Sequence, residues 1–99
     1  MPIRHLVLLK FKPEVSAQQQ AELEHAFCAL QDAIADVISL EWGRNNSPEG
    51  LVKGFTHCFN LTFADDTGRA RYLPHPVHQA FVAQLKPALD DVLVFDYTV

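Results

Sequence analysis

Ninety-nine residues give room for one domain, residues 1–99, and no second core. An apolar fraction of 48% supports a compact interior, although a chain this short leaves apolar surface that is hard to bury alone. A net charge of −4 with no local basic cluster argues against a nucleic-acid or anionic-membrane surface.

Met1-Pro2-Ile3-Arg4-His5 leads into a short apolar run that ends at Lys10, which does not read as a signal peptide. No stretch approaches the roughly 20 apolar residues that a spanning helix needs. Residues 3–11 read as a strand, with Ile3, His5, Val7, Leu9 and Phe11 on one face and Leu6 and Leu8 on the other. Both faces are apolar, so both must be covered. Pro13 ends the strand, and Ser16 with Gln19 forms a capping box that opens a helix. Leu23, Phe27, Leu30 and Ile34 supply its apolar stripe, while Gln18, Gln20, Glu22 and Asp32 face water, as His25 is expected to.

A second strand is expected over residues 38–44, then a loop from Asn45 to Gly50, then a third strand over residues 55–63. Phe55, His57, Phe59, Leu61 and Phe63 form a strongly apolar face on that strand, interrupted by one imidazole. Asp65 or Asp66 caps a short helix that reaches Tyr72 and is weakened by Gly68. Pro76 starts a further helix carrying Phe81, Val82 and Leu85, which Pro87 bends or ends, and residues 92–99 read as the last strand. The order is β-α-β-β-α-β, the split α+β ferredoxin-like arrangement, whose helices cover one sheet face. The other face should meet a second copy of the chain, sheet against sheet. Ile3, Val7, Leu9 and Phe11, with Phe55, Phe59 and Leu61, are the residues expected there. Cys28 and Cys58 lack metal-type spacing and read as buried reduced thiols in a cytoplasmic protein, with no activating base.

The densest chemistry lies in Tyr72-Leu73-Pro74-His75-Pro76-Val77-His78, where a phenol and two imidazoles meet at a bend between helices. His78, in the first helical turn, is disfavoured as an imidazolium by the local dipole and can serve as a neutral general base. Its structural reading is a ring that fastens the corner to backbone. Tyr72 can donate to a carbonyl that becomes an enolate, or it is simply a half-buried aromatic. His75 reads as an N-cap or turn residue at the edge of a pocket. His5 and His57 fall on the apolar faces of neighbouring strands, which raises a shared polar pocket as an expectation. No cysteine or carboxylate completes a metal set with His75 and His78, so neither a metal nor a cofactor is expected.

These pieces together resemble the stress-responsive dimeric α/β-barrel (Dabb) family over nearly the whole chain. The resemblance rests on the strand from Ile3 to Lys12, the loop from Gly43 to Gly50, Phe55-Thr56-His57, the segment from Tyr72 to His78, and Val94-Phe95-Asp96-Tyr97. It implies a ferredoxin-like protomer that pairs into a homodimer whose two sheets close a barrel. The polar residues are similar to those of a polyketide-cyclase branch, which closes a linear polyketide by an intramolecular aldol reaction. That branch implies a catalytic pair at Tyr72 and His78 and pocket histidines at His5 and His57. Three functions remain open: a module that binds a small apolar or aromatic molecule in a pocket between the second helix and the sheet, an aldol-type lyase with His78 as base and Tyr72 as enolate stabiliser, and a structural assembly without chemistry.

Overall fold

The computed structural model describes residues 1–99, and the elements follow from local sequence. Alternating side chains build β1 over Ile3–Phe11. Ser16 caps α1 (Ala17–Ala33): its hydroxyl accepts from Gln19 N–H while the Gln19 side chain accepts from Ser16 N–H. Leu23, Phe27 and Leu30 on this helix are buried, as the apolar spacing requires. β2 covers Ser39–Arg44 and β3 covers His57–Phe63. β3 starts two residues later than the pattern suggests, because Phe55 N–H turns back to the Val52 carbonyl.

Asp65 caps α2 (Asp66–Tyr72) by accepting from Gly68 N–H, and His75 caps α3 (Pro76–Leu85) by accepting from Val77 N–H. Pro76 sits at the helix start, where its missing N–H costs nothing. A 3-10 turn over Lys86–Ala88, containing Pro87, ends the helical layer and leads into β4 (Leu89–Thr98). No helix is long and apolar enough to cross a membrane.

The sheet is antiparallel in the order β2-β3-β1-β4. This is the ferredoxin-like α+β fold. One face packs against the helices around Val7, Leu9, Phe27, Phe59, Leu61, Phe63, Tyr72 and Phe81, all buried. Phe27 stacks on Phe59 with ring centres 4.1 Å apart, and Phe81 tilts against Phe27 at 4.8 Å, so the space between helices and sheet is filled by rings.

The position of Ile3, Val7, Leu9, Phe59 and Leu61 corrects an expectation. They form the helix-covered core and not the dimer surface. Alternation tells which residues share a face, but it does not tell which face the helices take. Strand register places Leu6 between Asn60 and Phe95, Leu8 between Cys58 and Leu93, and Arg4 between Thr62 and Tyr97 on the opposite, open face. That face is apolar toward β4, an edge strand on which Phe95 is 61% exposed. Arg4 donates to Thr62 at 2.8 Å on its polar side.

Candidate functional site

Titratable side chains gather in two clusters at opposite ends of the helix-covered face. His5 pairs across the sheet with Leu61, and His57 pairs with Leu9. Four residues of strand therefore separate them, roughly 13 Å. They share a face as expected and lie apart along it, because alternation fixes the face and says nothing of distance along it.

The first cluster is built by β1, β4 and the corner between α2 and α3. His5 Nδ1 donates to Asp96 Oδ1 at 2.7 Å, and Arg69 Nη1 donates to Asp96 Oδ2 at 2.9 Å. The His5 ring meets Tyr72 edge-on at 6.1 Å, and Tyr72 in turn meets the His78 ring at 4.2 Å. Tyr72 is 1% exposed, and burial pushes its phenol well above the ordinary value, so it stays protonated and keeps a proton to donate. No group within the chain accepts from its hydroxyl.

His78 sits in the first turn of α3, and its Nδ1 donates to the Leu73 carbonyl at 2.9 Å. A carbonyl only accepts, so the neutral ring carries its proton on Nδ1 and its lone pair on Nε2. Burial pushes the His78 imidazole below its ordinary value, the Leu73 carbonyl opposes that shift, and nearby His5 and His75 add to it. The dipole at the start of α3 works in the same direction, and burial leads. His75 is held by its capping bond to Val77 N–H at 3.1 Å, which makes it a corner residue at the start of α3.

The second cluster surrounds His57, whose side chain is 1% exposed. His57 Nε2 donates to Glu24 Oε2 at 2.7 Å, and Thr56 Oγ1 lies 2.6 Å from His57 Nδ1. Arg44 Nη2 donates to the same Glu24 oxygen at 2.9 Å. Trp42 stacks on the imidazole at 5.6 Å, and Phe11 meets its edge at 5.1 Å. Glu24, Arg44, Asp96 and Arg69 are partners that sequence reasoning missed. Asp96 and Arg44 become visible only with strand register, where they oppose His5 and His57.

A concavity of about 440 Å3 adjoins this second cluster. It lies on the open sheet face, where Leu6, Leu8, Val52 and Phe55 supply apolar lining and Glu41, Asn45, Thr56 and Asn60 polar lining, while the Trp42 and His57 rings pack on the helix-covered side. The β2–β3 loop closes one side, turning through positive φ at Gly50 (73°), Lys53 (61°) and Gly54 (84°). The other principal concavities, of about 350 and 290 Å3, lie beside α1 and on the polar part of the open face. None of the three reaches Tyr72 or His78. Cys28 and Cys58 are free thiols, both pushed up by burial and so poor nucleophiles. No three His, Cys, Asp or Glu side chains converge as a metal would require.

A four-stranded antiparallel sheet with helices on one face and buried histidine–carboxylate pairs at both ends defines a ferredoxin-like α/β-barrel protomer. The chain belongs to the family described as the stress responsive A/B barrel domain (Dabb), whose model matches residues 3–99. It is 36% identical over 96 residues to the stress-response A/B barrel domain-containing protein HS1 of Arabidopsis thaliana, covering 97% of this chain and 88% of that relative. It is 30% identical over 98 residues to olivetolic acid cyclase of Cannabis sativa, covering 99% and 97%. Its fold matches the crystal structure of a dimeric ferredoxin-like protein of unknown function from Thermobifida fusca, with a TM-score of 0.83, 25% identity and coverage of 100% and 92%.

Proposed function

We propose that the protein is a homodimer that binds a small apolar or aromatic molecule in the concavity on the open sheet face beside the β2–β3 loop. The observation that carries this reading is the concavity itself. Its volume of about 440 Å3 falls within the range of small-molecule sites, and its walls join an apolar floor to a few polar groups. Self-association is supported by the open sheet face, where Leu6, Leu8, Leu93 and Phe95 lie in adjacent strands without helical cover. Burying such a surface contributes about 25 cal/mol per Å2, hence several kcal/mol for a full face. A second sheet laid over it would also enclose the concavity. The relative from Thermobifida fusca is described as dimeric.

The test is a thermal-shift screen against aromatic ketones and short polyketide mimics. Val52→Trp, which fills the concavity, should abolish the shift while the dimer persists. A shift that survives Val52→Trp places the ligand elsewhere.

The lyase reading is favoured by a different observation, the tautomer of His78. With Nδ1 committed to Leu73, Nε2 holds the lone pair beside the buried phenol. Such a pair suits proton abstraction next to a ketone with Tyr72 stabilising the enolate, as in the aldol closure that the likeness to olivetolic acid cyclase suggests. It stands second because the principal concavities do not reach these rings. His78→Ala should abolish turnover with the dimer intact, and Tyr72→Phe should lose about 2.7–4 kcal/mol of transition-state stabilisation. Full activity in His78→Ala removes this reading.

A further inference from the structure

We propose that Thr56, His57 and Glu24 form a hydroxyl–imidazole–carboxylate relay that transfers acyl groups from small carboxylic esters. The order of hydrogen bonds is the starting point. Glu24 Oε2 accepts from His57 Nε2 at 2.7 Å, which places the ring's proton on Nε2 and leaves the lone pair on Nδ1. Thr56 Oγ1 stands 2.6 Å from that lone pair, so its hydroxyl donates to it. A nucleophile, a base and the base's orienting carboxylate are thus in hydrogen-bonded sequence.

Structural need explains only part of this chain. His57 is buried, and one bond to Glu24 anchors it. Thr56 is exposed, and water would satisfy its hydroxyl. The imidazole is also held on two sides, by Trp42 stacked with an interplanar angle of 4° and by Phe11 at 82°. Arg44, on the same oxygen of Glu24, fixes the carboxylate. Glu24 and Arg44 are positioning residues in this scheme. Thr56 is exposed and lines the concavity of about 440 Å3, so the nucleophile opens onto space for a substrate, while the His57 ring, 1% exposed, stands behind it on the helix-covered side.

Asn45 lies across from Thr56, its N–H donating to the Thr56 carbonyl at 2.9 Å. The Asn45 side-chain oxygen accepts from Ser47 N–H at 3.2 Å, so its amide N–H groups are available to a developing oxyanion.

The chemistry balances without a cofactor. Thr56 Oγ1 forms a bond to the ester carbonyl carbon as its proton passes to His57 Nδ1. The carbon–oxygen bond to the leaving alcohol breaks, and that oxygen takes the proton from His57. Water then attacks the acyl-threonine with the same base, releasing the acid and restoring Thr56.

This activity rests on the concavity being a small-molecule site, and the test separates the two. The full-length protein is incubated with p-nitrophenyl butyrate for turnover and with diisopropyl fluorophosphate for labelling, which is located by peptide mass spectrometry. The label should fall on Thr56 with loss of fluoride. Turnover should drop at least about a hundredfold in Thr56→Val, return in Thr56→Ser, and fall in Glu24→Gln with the far-ultraviolet dichroism of the folded protein retained. Absence of label on Thr56, or a wild-type rate in Thr56→Val, overturns the relay. If aromatic ligands still raise the melting temperature in that event, the binding site stands without the relay. If Thr56 is labelled and no aromatic ligand shifts melting, the relay stands and the aromatic-binding reading falls.

Discussion

His5 Nδ1 and Asp96 Oδ1 lie 2.7 Å apart across the β1–β4 pair, directly opposite in register. This bond ties the edge strand to the core and commits the His5 proton to Nδ1. Asp96→Ala would leave a nearly buried imidazole and Arg69 without their shared acceptor. The expected cost is about 1–3 kcal/mol, read from urea unfolding, and Asp96→Asn should cost less because an amide oxygen still accepts. Equal stability of both variants and wild type would mean that the bond is dispensable.

His78 should titrate below the ordinary histidine value, observable as its imidazole proton shift in NMR. The unfolded chain then takes up this proton before the folded one. Stability contributed by the neutral ring is complete above about pH 6.5, declines as pH falls below it, and levels off beneath the folded value. His78→Gln should flatten that part of the pH–stability curve.

Phe27→Ala removes one ring of the stack with Phe59 and its contact with Phe81. Loss of about 3–5 kcal/mol is expected, because the surrounding core relaxes only in part. The same change should open space beneath α1, and xenon or benzene binding would reveal it. A small loss with no new binding would indicate collapse of the helix onto the sheet.

Leu8→Arg places a charge in the middle of the open face, between Cys58 and Leu93. Sedimentation should show the wild type as a dimer at micromolar concentration and the variant as a monomer with the same far-ultraviolet dichroism. A dimeric variant would move the interface off this face.

Local chemistry made much of the fold legible. Ser16 and Gln19 announced α1, Asp65 announced α2, and Pro76 with His75 announced α3, because each cap acts within three residues. The Tyr72–His78 corner was readable for the same reason. Long-range partners were not. Asp96 meets His5 over ninety-one positions, and Glu24 meets His57 from another element, so neither pairing leaves a local trace. The open face did leave one: Cys58, Asn60 and Thr62 alternate with Phe59, Leu61 and Phe63, and the more polar set lies away from the helices. That contrast on β3 is a better guide to the covered face than β1, which is apolar on both sides.

β4 ends the sheet with its outer backbone groups unpaired and with Leu93, Phe95 and Tyr97 exposed along one face. Any chain with a free strand could add to such an edge. In the homodimer proposed above, a newly made protomer would therefore be most vulnerable in the interval between folding and pairing. Fast capture by its own kind would then limit mispairing, and dilution would lengthen that interval while lowering the chance of every encounter. Conditions that loosen the pair without unfolding it should be the ones that precipitate the protein.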